Sequence, residues 1–223
     1  MTYAVLVLSL VIALLIETTS WSLRSYAKME YRGTIISKTN IYLYGARLFI
    51  LIYMTGLSFL VDKREAVFNL IMLVSFSYIL SSIIHLSILN NNTHAKICKI
   101  FLRVLFVDEL MIRDQNKTKE YSSSLLLNTA FSAFIFSLAM IAPYFFASLY
   151  PDYRMTFGTI GQIINSLGTV FLLFFVDPIL YRHMDNNRLM ENLHSYYAGR
   201  ILGFILGGVL ILIMGLTLGN AFQ

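Results

Sequence analysis

The sequence predicts an all-α integral membrane protein of about six transmembrane helices, with a cytoplasmic amphipathic helix in the third loop. Three observations predict it. Of 223 residues, 57% are hydrophobic and 13% charged, against roughly 25% charged in soluble domains. Apolar runs recur at the length of about 20 residues that a helix needs to cross the hydrocarbon core. Basic residues crowd into alternate loops instead of spreading evenly, as the positive-inside rule expects.

The first apolar run covers residues 2–23. It lacks a basic n-region and meets no small-residue cleavage pattern before Glu17, so it reads as a retained helix and not as a signal peptide. Further runs cover 41–61, 66–89, 124–150, 156–180 and 197–218. Arg24, Lys28, Arg32 and Lys38 follow the first run; Lys96, Lys99, Arg103, Arg113, Lys117 and Lys119 follow the third; Arg182 and Arg188 follow the fifth. The other two loops hold Lys63, Arg64 and Arg154. This asymmetry predicts cytoplasmic basic loops and both termini outside. In the third loop, Ile97, Ile100, Phe101, Val104 and Leu105 recur at helical spacing opposite Lys96, Lys99 and Arg103. The charges are too dense for a span, so about residues 95–112 read as a helix lying on the membrane surface. Such a helix serves either as a gate or as a connector resting on anionic headgroups. The chain, 1–223, reads as a single polytopic membrane domain. "FLVD" (59–62) and "FFVD" (174–177) hint at a repeat, but four letters in so apolar a sequence fit chance.

Composition also excludes. Cys98 is the single cysteine, so an intrachain disulfide and multi-cysteine zinc sites are out. His94, His183 and His194 lack metal-ligand spacing, and His85 fits a satisfied histidine better than a proton relay. No Walker A pattern is present, and no cofactor is implied. The net charge of +5 reports orientation and not nucleic-acid binding. "GFILGG" (203–208) suits close helix packing, and Pro178 ends or kinks the fifth helix. The sequons at Asn91 and Asn116 fall on the predicted cytoplasmic face, where they carry no meaning.

Charged residues inside the spans raise the functional question. Glu17, Arg47, Asp177 and Arg200 lie within or near the ends of four different runs, with Arg24 at an edge. A charge at a helix centre costs about 2.5–3.5 kcal/mol even on a lenient insertion scale. By the predicted topology all four fall in one layer, roughly 5–9 Å inside the cytoplasmic edge at 1.5 Å per residue. Glu17 and Arg24 share a face but sit too far apart to pair, so Arg47 is the first candidate partner for Glu17. Snorkelling to the interface accounts for Arg24 fully and Arg200 partly, and Glu17–Arg47 could be a structural bridge. Alternatively, the set lines a polar cavity whose arginines fork onto a phosphate. Phosphatase or phosphotransferase chemistry would want clustered acids or a nucleophile with a base, whereas these acids stand singly.

"IETTSWSLR", "NIYLYGAR" (40–47), "FVDP" and "GRILG" (199–203) resemble motifs of the Amj family of bacterial lipid II flippases, a class unrelated in sequence to the MurJ type. The likeness runs through the chain in helix order and loop length. Ala46 stands where that family tends to have Ser, and the ending "LTLGNAFQ" departs from its usual one. The resemblance implies a plasma-membrane transporter and not an enzyme. It would carry an undecaprenyl-diphosphate-linked peptidoglycan precursor from the cytoplasmic to the outer leaflet. Another polyprenyl-linked glycan (an O-antigen or capsule unit), or a non-transporting envelope scaffold, is the alternative. It implies Glu17, Arg24, Arg47, Asp177 and Arg200 as the headgroup site, with sugars held by hydroxyl and amide groups and the tail left in lipid. Membrane potential would assist the flip. Six helices are narrow for such a cargo, which leaves room for a homodimer sharing a cavity.

Overall fold

The computed structural model describes residues 3–108, 111–112 and 120–219. Arg113, Lys117, Lys119 and the Asn116 sequon therefore lie outside the described residues, as does part of the expected 95–112 helix. The described chain is helical throughout its elements: α1 (Tyr3–Ser25), α2 (Arg32–Asp62), α3 (Val67–Ile88), α4 (Asn91–Val104), α5 (Ser123–Leu149), α6 (Arg154–Phe171), α7 (Asp177–Asp185) and α8 (Leu189–Gly219). A π-helical turn, Leu172–Val176, joins α6 to α7. Counting α6, that turn and α7 as one span, six helical segments among the described residues are long and apolar enough to cross a membrane. The all-α membrane fold is thus as the composition predicts.

Several helices outrun their apolar segments. The second starts at Arg32 and not near 41, the fifth span continues to Asp185 and not 180, and the last starts at Leu189 and not 197. Hydropathy marks where lipid ends, whereas a helix ends where its backbone loses partners. The polar start of α2 stays helical because Ile35 is fully buried beside Cys98 and Leu102 of α4. Arg32 also donates to Asn187 at 2.9 Å and reaches Asp185 at 3.5 Å. At the start of α8, Leu193 and Tyr196 are buried with Trp21 and Leu180.

Packing follows from small residues. α8 lies against α5 through Gly199, Gly203 and Gly207, spaced at i, i+4, i+8 on one face. A Cβ at Gly203 would stand 2.6 Å from Ala133 Cβ, so glycine there permits the close approach that "GFILGG" predicts. α1 packs on α2 and α3, α8 also packs on α3, and α6 packs on α5. Tyr53, Leu57, Leu10, Tyr78 and Phe204 form the central core. Among the described residues, α2 and α6 pack little on each other. Their outward faces carry exposed Ile41, Leu48, Leu51, Ile160, Ile163 and Leu167, the apolar surface lipid requires.

α4 is the helix expected in the third loop, with different bounds and with contacts to protein. It begins at Asn91 and ends at Val104, and it docks on protein: His94, Cys98 and Leu102 are buried against the end of α1 and the start of α2. Ile100 and Val104, expected on its apolar face, are exposed at 58% and 62%. The helix therefore turns a narrower, partly polar face inward and leaves those two side chains beside exposed Lys96, Lys99 and Arg103.

Candidate functional site

A cavity of about 920 Å³ lies between α2 and the α6–α7 span, where those two helices fail to meet. Its size is near the upper end of the roughly 300–1,000 Å³ of ligand pockets. On α2 its wall is Leu43, Arg47, Ile50, Met54, Ser58 and Asp62. Those positions recur every three or four residues, so one face of α2 lines the cavity over about 28 Å of helix axis. The opposite wall runs from Arg154 through Gln162, Asn165 and Thr169 to Asp177 and Tyr181. The floor is α1, α5 and α8.

Glu17, Arg24, Arg47, Asp177 and Arg200 all line this cavity. Their environments differ. Arg200 is buried at 5% exposure and donates to Glu17 at 3.1 Å. Glu17 therefore pairs with Arg200 of α8, and the expected Glu17–Arg47 pair does not form. The Arg200 guanidinium also lies 4.9 Å from the Phe204 ring centre, while its buried Nε has no partner. Arg24 is likewise 5% exposed. It donates to Asn40 at 2.8 Å and Thr39 at 3.1 Å, and stacks 4.5 Å over Trp21. Neither Arg24 nor Arg200 snorkels; each is held inside by partners. Arg47 is exposed to the cavity, and among the described residues it makes no hydrogen bond or ion pair, only a 5.7 Å approach to Tyr44. A charge without a partner at this depth needs water or an anion.

Asp177 opens α7 directly after the π-helical turn, and Pro178 follows it. The proline lacks an N–H, so the turn before it loses a helical bond, and the wider π turn takes up the misfit. Oδ1 of Asp177 is buried without a partner. Asp177 therefore faces the cavity from a break in the span, as the expected kink allows.

Two ion pairs join α2 to the α6–α7 span. Arg154 donates to Asp62 at 2.9 Å where α2 ends and α6 begins. At the basic end, Arg32 reaches Asp185. Neither bridge is visible in the sequence, because each joins residues that read as ordinary loop charges. The Gln162, Asn165 and Thr169 face was missed as well, although polar residues at i, i+3, i+7 in an apolar run are a readable signal.

A polar cluster lies beside the cavity and outside it. His85 Nδ1 donates to the Ser81 carbonyl oxygen at 2.7 Å, and Nε2 lies 2.9 Å from Thr18 Oγ1, a satisfied histidine, fully buried. His94 Nε2 bonds Ser22 Oγ at 2.9 Å, and that hydroxyl also meets Tyr197 OH. Burial pushes the His94 pKa from 6.5 down to about 4. Burial also raises the neighbouring Cys98 thiol to about 12, so both groups stand neutral.

A family model described as "Amj: Alternate to MurJ" matches residues 80–214. The match includes Asp177, Arg200 and the α6 wall, and stops short of Glu17, Arg24 and Arg47. No curated protein and no solved structure matches the chain.

Proposed function

The chain belongs to the Amj family, and on that premise we propose that it is a flippase for a polyprenyl-diphosphate-linked glycan, lipid II before others. One observation carries the reading. Four arginines line a single membrane-depth cavity, and three are committed to protein partners, while Arg47 has none among the described residues. A diphosphate offers the oxygens that a guanidinium fork binds. Glu17 keeps Arg200 compensated in the empty site, and Arg47 is the group that meets the headgroup first. The gap between α2 and α6 lets the polyprenyl tail stay in lipid while the polar part passes along the cavity.

The charge asymmetry of the loops supports an orientation in a bacterial plasma membrane with Arg24 and Asp177 towards the cytoplasm and the termini outside. Loading is then from the cytoplasmic leaflet. The chain works as a transporter and not as an enzyme. Two negative charges moving outward gain about 2.3 kcal/mol each per 100 mV of inside-negative potential. An imposed potential of that sign should speed flipping in proteoliposomes, and indifference to it would remove the electrical contribution.

The direct test is lipid II flipping by wild type and Arg47→Gln. Because Arg47 has no structural bond to lose, the variant should stay monodisperse and lose flipping at least tenfold. Unchanged flipping would overturn the headgroup site. If wild type flips no lipid II but does flip an O-antigen or capsule lipid, the substrate changes and the mechanism stands.

A further inference from the structure

The middle of the cavity carries a different chemistry from its ends. Gln162, Asn165 and Thr169 line it together from one face of α6. Thr169 Oγ1 is satisfied within its helix, donating to the Asn165 carbonyl at 3.0 Å. The carboxamides of Gln162 and Asn165 are not: among the described residues neither side chain has a hydrogen-bond partner, and both are exposed to the cavity. Asn165 lies about 16 Å along the axis from Arg154 and about 18 Å from Asp177, close to the midpoint of the span. An amide at that depth without a partner is unfavourable in hydrocarbon, so these two groups look onto water or onto a ligand.

The surroundings specify the ligand. Across the cavity α2 presents Ile50 and Met54, which are uncharged. A carboxamide offers both a donor pair and an acceptor, matching hydroxyls and amides and giving a diphosphate no counter-charge. The same face opens at Gly158, where a Cβ would meet nothing within 4 Å. There is room beside the amides.

We propose that Gln162 and Asn165 form a second subsite, which binds the uncharged, hydroxyl- and amide-rich part of the lipid-linked substrate while the arginines bind its diphosphate. The inference rests on the flippase reading and deepens it. The two subsites divide the headgroup: charge is recognised near the basic end, and glycan or peptide at mid-membrane. Weak neutral bonds in the middle let the cargo move on, where a further cationic site would hold it.

The test compares two probes, lipid II and undecaprenyl diphosphate without sugar, binding to the purified full chain. The double variant Gln162→Leu/Asn165→Leu should bind lipid II about tenfold more weakly, the loss of one or two hydrogen bonds. It should bind undecaprenyl diphosphate like wild type. Gly158→Phe, which fills the free space beside the amides, should show the same selectivity. Ser166→Leu, on the same helix but off the cavity wall, should change neither. Arg47→Gln should weaken both probes, which separates the two subsites. Wild-type binding of lipid II by the double variant would overturn the inference, and so would equal loss of both probes. If wild type binds neither lipid, the flippase reading falls and this subsite falls with it.

Discussion

At the residue scale, Arg24, Arg47 and Arg200, three of the four arginines of one cavity, are different physical objects. Arg24 is fixed by Thr39, Asn40 and the Trp21 face. Arg200 is fixed by Glu17, and Arg47 is unfixed. Removing one member of a buried pair strands the other, and here the cavity softens the penalty because the Glu17 side chain is 32% exposed. Glu17→Ala should therefore lower stability by about 1–3 kcal/mol, the cost of an unsatisfied buried group. Arg47→Gln should stay within about 0.5 kcal/mol, as surface changes do. Thermal unfolding in detergent measures both. An equal loss in the two variants would mean that Arg47 has a structural role that its geometry does not reveal.

At the element scale, α4 is the helix whose docking depends on protonation. His94 sits between Ser22, Cys98 and the Tyr26 ring, with Tyr197 reaching the same hydroxyl. Its folded pKa of about 4 lies below the unfolded 6.5, so the unfolded state binds more protons between those values. The stabilisation from neutral His94 is complete above pH 6.5 and is lost as pH falls towards 4; over that window it amounts to about 3 kcal/mol. Hydrogen exchange in residues 93–104 should accelerate on acidification across this range, and His94→Gln should flatten the profile. Acceleration that persists in the variant would assign the effect to other groups. The α6–α7 span shows a second element-level device. A π turn and a proline put Asp177 at a break in the helix, so the acid sits where the backbone is already irregular.

At the scale of the whole molecule, α2 and the α6–α7 span are parted along their middles and tied at their ends, by Asp62–Arg154 and by Arg32–Asp185. Both pairs have one partner about 70% exposed (68% and 70%). Such pairs contribute about 0–1 kcal/mol, weak enough to part in the proposed transport cycle. Arg154→Gln should shift the balance towards an open Asp62 end by up to about fivefold, the equivalent of about 1 kcal/mol. A cysteine placed at Met54, deeper in the cavity, reports it: an impermeant thiol reagent added on that side should label it faster by that factor. Arg32→Gln should leave this rate unchanged or slow it. Unchanged labelling in Arg154→Gln would mean that the pair does not close that end.

The sequence alone determined the all-α membrane class, the approximate spans, and five of the seven charges that gather in the cavity, Asp62 and Arg154 being the others. These follow from hydropathy and from the cost of a charge in lipid, which act residue by residue and so leave a local mark. The ends of α2, α7 and α8, the docked face of α4 and the Glu17–Arg200 pair were decided by tertiary structure. Helix ends outside the membrane are set by contacts such as Ile35 with α4, and hydropathy does not register them. Which arginine pairs with Glu17 depends on how α1, α2 and α8 are rotated about their axes. That rotation is fixed by close packing, by the glycines of α8 against α5 and by the side chains between α1 and its neighbours, across distances no linear pattern encodes.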